Sequence, residues 1–224
     1  MAGYQDINKD RFGYIKSGRQ DSLLFHAGKR FLDVLISGTA LVVLSPLFIV
    51  IAILIKMEDG GPVLHHRLAV CRTGTYDMLK FRTMVPDANE IEKYLSSEQI
   101  IEYQRNIKLD NDPRVTRIGK FLRKTSLDEL MQLVSVFKGD MSLVGPRPMV
   151  AEECKNYGDK LDMILSVKPG LTGYWQVNGR SNSTYENGER QRLELYYVEN
   201  RSIWLDICIF FKTFLVVIRG EGAK

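Results

Sequence analysis

Phe31 to Met57 reads FLDVLISGTALVVLSPLFIVIAILIKM, and how this run is read decides the architecture. Asp33 is its only charge before Lys56, a composition suited to hydrocarbon rather than water. About thirty polar and charged residues precede it and no small-residue cleavage pattern closes it, so it does not read as a cleaved secretory leader. Roughly 24 apolar residues at ~1.5 Å each extend about 36 Å, enough for a ~30 Å hydrocarbon core. Pro46 has no N–H and its ring collides with the Val42 carbonyl, so the helix is expected to kink there, with the Ser45 hydroxyl available to a freed backbone group. Cations flank both ends, Lys29-Arg30 before and Lys56, Arg67 and Arg72 after, so charge asymmetry favours neither end as the outer one. A re-entrant helix with both ends on the cytoplasmic side explains the proline and the symmetric charge together. It is preferred here to a kinked spanning helix.

Outward from this run, the chain divides into a polar extension (1–28), the re-entrant membrane helix (29–58) and a cytoplasmic domain (59–224). The expected class is α+β and mainly helical, with a small β-hairpin and interfacial amphipathic helices. A second apolar stretch, SIWLDICIFFKTFLVVIR from Ser202 to Arg219, is interrupted by Asp206 and Lys212. It suits a helix lying along the lipid headgroups at about 202–219, with a buried core helix as the alternative. The 224 residues, 45% hydrophobic and 26% charged, exclude a disordered chain or a repeat array. A net charge of +4 suits anionic lipid or phosphate ligands, but no groove-reading helix or aromatic RNA-binding pattern points to nucleic acid. Cys71, Cys154 and Cys208 are odd in number and lack metal spacing, which argues against a disulfide framework or a zinc site and fits a reducing compartment.

In the domain that follows, Val63 to Met84 alternates around Arg72-Thr73-Gly74 and reads as a β-hairpin. Lys80 and Arg82, two apart on its second strand, are expected on one face, as a phosphate clamp or a solvated surface. Residues 85–111 read as a surface helix and loop. Ser142 to Pro148 holds Arg147 between two prolines in a stiff loop. Lys168 to Arg180 is glycine-rich, basic and aromatic; it admits either a nucleotide-receiving stretch or a turn with Trp175 in the core. Between these lies Arg123-Lys124-Thr125-Ser126-Leu127-Asp128-Glu129-Leu130, with two adjacent carboxylates behind two cations. Ser126 and Glu129 have capping-box spacing at the start of a helix carried by Leu130, Leu133, Val134 and Phe137, and closed by Lys138-Gly139. A cap needs only Glu129, which leaves Asp128 for chemistry.

Taken in order, Lys29-Arg30-Phe31-Leu32-Asp33, the Ser45-Pro46 break, Lys80 to Met84, Asp112-Pro113-Arg114, the dyad segment, Gly145-Pro146-Arg147-Pro148 and Pro169 to Gly173 resemble a known family. This is the bacterial sugar transferase family, the monotopic polyprenyl-phosphate phosphoglycosyl transferases. The resemblance covers roughly residues 27 to 224. Met131 stands where proline is usual, His65-His66-Arg67 replaces a glutamine-bearing stretch, and Glu194 stands where aspartate is common.

The resemblance implies transfer of a sugar 1-phosphate from a UDP-sugar to undecaprenyl phosphate, with release of UMP, to start capsule, exopolysaccharide or O-antigen synthesis. Residues 179–186 and 220–224 are similar to members that use galactose or glucose. Asp128 is implied as nucleophile, kept ionised by the helix start and Arg123, with a phosphosugar-aspartyl intermediate and ping-pong kinetics. Glu129 is implied as the ligand of Mg²⁺, Lys80, Arg123 and Arg147 as phosphate ligands, and Glu194 as a further substrate-site residue. The implied place is the bacterial inner membrane with the catalytic domain on its cytoplasmic face, in contact with membrane lipid; a homodimer is left open. Two alternatives stand beside this reading. One is a ternary complex with Asp128 as base, the other a non-catalytic membrane-anchored scaffold whose dyad is only a cap.

Overall fold

The computed structural model describes residues 21–106, 109, 111–179, 185 and 187–219. Helix α1 (Leu23–Val43) begins at Ser22, whose hydroxyl accepts from the Phe25 N–H at 3.1 Å, a side-chain N-cap. It stops at Leu44, and α2 (Ser45–Asp59) departs from it at 58°. The cause is the expected one: Pro46 occupies the first turn of α2, and Ser45 Oγ donates to the Val42 carbonyl at 2.8 Å. No single helix among the described residues is long and apolar enough to cross a membrane, but this bent pair has the length and composition together. Gly60 closes α2 with φ 71°, a left-handed position that suits glycine.

The expected hairpin is present as β1 (Leu64–Cys71) and β2 (Gly74–Phe81), antiparallel, with His65 opposite Lys80 and Arg67 opposite Met78. Short helices α3 (Ile91–Tyr94) and α4 (Ser97–Asn106) fill the region read as surface helix and loop. Helix α5 (Arg117–Thr125) leads through Ser126 into a 3₁₀ turn (Leu127–Met131) and then α6 (Gln132–Lys138). Strand β3 (Ser142–Val144) pairs in parallel with β4 (Gly170–Thr172), joined through α7 (Ala151–Cys154), a 3₁₀ segment (Lys155–Lys160) and α8 (Leu161–Leu165). Helices α9 (Tyr174–Asn178), α10 (Glu189–Asn200) and α11 (Ile203–Arg219) complete the described chain. Residues 1–20 of the extension, most of the 179–186 run and the 220–224 ending lie outside the described residues.

The larger core gathers Ala69, Met78, Leu133, Val136, Met141, Val144, Ile164, Tyr197 and Ile209 from both sheets and the helices around them. A second cluster sets Ile51 and Ile55 of α2 against Phe81 and Leu122, so α2 is part of the domain's packing. Large apolar side chains nevertheless remain exposed along α1 (Leu24, Phe31, Val42), α2 (Ile49, Ile53, Met57) and α11 (Trp204, Phe211, Phe214). Helix α11 thus packs on the core along one side, as the buried-helix alternative expects, and is exposed along the other. Ile209 and Val216 face the core, while Trp204 is 73% exposed on the other side. Its interrupting Asp206 is buried and paired with Lys29 at 2.5 Å.

Candidate active site

The dyad is presented by the way its turn is anchored. Leu127 and Met131 pack on the cluster shared with α2 and β2, and Leu130 packs on the larger core. With those three side chains turned inward, Asp128 and Glu129 are held half-buried on the other side of the turn. The expected capping box does not form. Helix α5 continues through Thr125 and Ser126 is its left-handed C-cap at φ 56°, with no side-chain cap hydrogen bond to the following turn. A capping serine needs an extended backbone to aim its hydroxyl at the third N–H, so the dyad belongs to a 3₁₀ turn and the α-helix starts only at Gln132.

Around the pair the structure gathers the expected cations. Lys80 Nζ donates to Glu129 Oε1 at 2.7 Å, and Arg147 Nη2 lies 3.9 Å from the same oxygen. Arg123, partly buried, donates from Nε to Thr83 Oγ1 at 2.9 Å; burial pushes its pKa down, against the pull of Asp128. Asp128 is expected to be kept ionised by the helix start and Arg123, yet its shift runs upward. Burial and the Glu129 charge push its carboxyl up to about 6, and Lys80 and Arg123 only partly offset them. In a 3₁₀ turn of five residues the helix dipole is too short to outweigh those two effects.

The shared face expected for Lys80 and Arg82 is not used by both. Strand β2 ends at Phe81, and beyond it Arg82 turns into the interior. There it binds Asp59 at 2.7 and 2.5 Å and the Pro62 carbonyl at 2.5 Å. Asp59 in turn is held below the ordinary carboxylate range by that guanidinium. Of these two cations, Lys80 is the one that faces the dyad.

Lys80, Glu129 and Arg147 line an open cleft of about 410 Å³, counting its mouth, together with Arg67, Glu153 and Gln176. Glu153 accepts from the Val150 N–H at 3.0 Å, which fixes its carboxylate at the start of α7. Arg147 keeps its charge strongly: burial pushes its pKa down, but Glu129, Glu153 and Glu194 outweigh this. Glu194 is 1% exposed and lies behind the cleft, hydrogen-bonded by Tyr157 and 3.4 Å from Arg190 Nε. Trp175 is buried, as the core reading expects, yet its ring carries Arg190 at 4.3 Å and Arg147 at 5.9 Å. Ser45 and Pro46 stand apart at the helix bend. Glu153, Gln176 and Arg190 were not singled out from sequence, because only the parallel β3–β4 pairing and the return of α10 bring them to Arg147.

Among the described residues no group of three or more His, Cys, Asp or Glu side chains is gathered to hold a metal ion. A cation beside the dyad would therefore have one or two carboxylates as protein ligands. That is the donor set with which Mg²⁺ is commonly held, the substrate's phosphates and water completing its oxygen shell.

The bacterial sugar transferase family model matches residues 24–220, which takes in the bent helix pair, the dyad and the Arg147 loop. The chain belongs to the bacterial sugar transferase family. Over 199 residues, 87% of the chain, it is 45% identical to the undecaprenyl-phosphate galactose phosphotransferase of Salmonella typhimurium, covering 41% of that protein. The UDP-galactose-lipid carrier transferase of Erwinia amylovora is 42% identical over the same share, again with 41% of its own length covered. The exopolysaccharide production protein ExoY of Rhizobium meliloti is 41% identical, with 87% of each chain covered. The chain thus spans about four tenths of the longer curated relatives and nearly all of a shorter member of the family.

Proposed function

We propose that the protein is a phosphoglycosyl transferase that moves a hexose 1-phosphate from a UDP-sugar to undecaprenyl phosphate, with UDP-galactose or UDP-glucose as donor. The observation that carries this reading is Glu129 set against Lys80 and Arg147 in one cleft, with Asp128 next to it in the turn, within the fields of Lys80 and Arg123. A carboxylate pair ringed by cations suits a diphosphate whose β-phosphorus must be attacked. Relatives named for galactose and glucose transfer to undecaprenyl phosphate support the donor and acceptor.

Arg147, Lys80 and Arg123 would bind the non-bridging oxygens, the arginines with two parallel N–H groups each. An Asp128 oxygen then attacks the β-phosphorus. The bond from that phosphorus to the bridging oxygen breaks, and UMP leaves with the bridging oxygen and its electron pair. Asp128 is left carrying the sugar phosphate as an acyl phosphate. An oxygen of undecaprenyl phosphate attacks the same phosphorus and returns Asp128 as a free carboxylate. Mg²⁺ bound by Glu129 would neutralise the diphosphate and the departing UMP. The exposed apolar faces of α1, α2 and α11 would lie in the inner leaflet, as a re-entrant anchor and an interfacial helix, and hold the cleft at the level of the lipid phosphate.

A carboxyl raised to about 6 also suits a general base. In that second reading Asp128 assists direct attack by the lipid phosphate in a ternary complex. Incubation with UDP-galactose and UDP-glucose in the absence of lipid acceptor separates the two. The covalent route gives one equivalent of UMP and a labelled protein, whereas the ternary route gives neither.

A further inference from the structure

We propose that Lys29 and Asp33, on the first turns of α1, are positioning residues that set the Arg147 loop, so that the membrane helix orients a phosphate ligand of the cleft. The proposal rests on the reading of Arg147 as that ligand.

Both residues reach the strand immediately before Arg147. Asp33, 4% exposed in an apolar helix, accepts from the Leu143 N–H at 2.8 Å and from Ser142 Oγ at 3.0 Å. Lys29 Nζ donates to the Val144 carbonyl at 2.8 Å, to Asp206 Oδ2 at 2.5 Å and to Tyr197 Oη at 3.3 Å. All three ammonium protons are thereby used. Tyr197 Oη in turn donates to Asp206 Oδ1 at 2.7 Å, which joins α10 and α11 to the same point. Three consecutive residues of β3 are therefore gripped from the α1 side.

Three residues past Val144 comes Arg147, through Gly145 and Pro146, and on its far side this segment has little slack. Gly145 N–H donates to the Thr172 carbonyl at 2.9 Å and Gly170 N–H to the Pro146 carbonyl at 2.8 Å. A Cβ on Gly145 would meet the Lys168 carbonyl at 2.4 Å. The loop is thus a backbone strip held between β4 and α1, and a rigid strip transmits a displacement at Val144 to the guanidinium. A buried ionic cluster of this kind costs desolvation, so apolar packing would hold α1 to the domain as well. Its polar contacts converge instead on one strand, which is what orientation requires.

The test is a double-mutant cycle on the full chain in lipid nanodiscs, reading UMP release from UDP-galactose and UDP-glucose with undecaprenyl phosphate, alongside amide hydrogen exchange. Lys29→Met is expected to lower kcat/KM about tenfold with Arg147 present and less than about twofold in the Arg147→Lys background, because coupled residues are not additive. Lys29→Arg, which keeps the donors, is expected to recover most of the loss. Exchange should quicken at residues 142–147 and stay unchanged in α5 and α6. Equal fold losses in both backgrounds, or exchange quickened throughout, would reduce Lys29 to a general stabiliser and overturn the proposal. Should Lys29→Met fail to fold, Asp33→Asn enters the same cycle. Should the parent protein release no UMP from either sugar, the transferase reading fails, and the exchange arm alone decides whether α1 holds the loop.

Discussion

Asp128 and Glu129 are adjacent carboxylates whose surroundings differ. Asp128 is pushed to about 6 by burial and its neighbour, yet it remains largely ionised at neutral pH. Glu129 has a direct Lys80 partner that a divalent cation could displace. Glu129→Gln is accordingly expected to lower UMP release about 10- to 100-fold and to raise the Mg²⁺ concentration for half-maximal rate, as read by metal titration. At Glu194 burial lifts the carboxyl's pKa in spite of Arg190, Tyr157 and Arg147. Such a group keeps its proton when folded after the unfolded chain has lost it, so its contribution to stability declines as pH rises above the ordinary glutamate range. Glu194→Gln has no such slope. Its unfolding midpoint, measured against the parent protein, should therefore rise as pH climbs above the ordinary glutamate range; a constant offset would contradict the direction. The dyad, Lys80, Arg123 and Arg147 were legible as residue types in sequence, but the direction of the Asp128 shift was not. It depends on burial that only the packed turn creates.

The bend between α1 and α2 was legible at the level of the element, because a proline and a serine have local consequences that neighbours do not override. Hairpin and α6 were legible for the same reason, through turn residues and spacing. What was not legible is how the bent pair grips the domain. Asp33 looked like a stray charge at one end of an apolar run, but it is a ligand of β3. Arg82 looked like a partner of Lys80, but Asp59 at the end of α2 holds it. Glu58 of α2 accepts from the Arg117 N–H at 2.7 Å and from the Ile118 N–H at 3.3 Å, so α2 also caps the helix that leads to the dyad. Glu58→Ala should cost on the order of 1 kcal/mol in denaturant unfolding, with quicker amide exchange in the first turn of α5. Topology has its own test in a chain whose native cysteines are replaced. Single cysteines at Leu23 and Pro62 should both react with a membrane-impermeant thiol reagent from the cytoplasmic side only. Labelling from opposite sides would make the pair a kinked span.

Across the whole molecule, the apolar faces, the cleft and the bent helix pair serve one arrangement. Apolar side chains of α1, α2 and α11 lie exposed, while polar groups of α1 and α2 reach inward to β3 and to α5, the two elements that precede Arg147 and Asp128. The bent helix pair is thus continuous with the candidate site. This arrangement was beyond the reach of sequence periodicity, since it depends on contacts more than a hundred residues apart, such as Lys29 with Val144 and Asp206. In the proposed reaction one site serves a donor and a lipid acceptor in turn through Asp128. Its most direct measurement is incubation of the purified protein with UDP-galactose or UDP-glucose labelled in the β-phosphate, with Mg²⁺ and without lipid. Label is expected on the protein at Asp128 with a matching burst of UMP, to be lost in Asp128→Asn and discharged when undecaprenyl phosphate is added. UMP release that requires the lipid from the outset, with no labelled protein at any time, would contradict it.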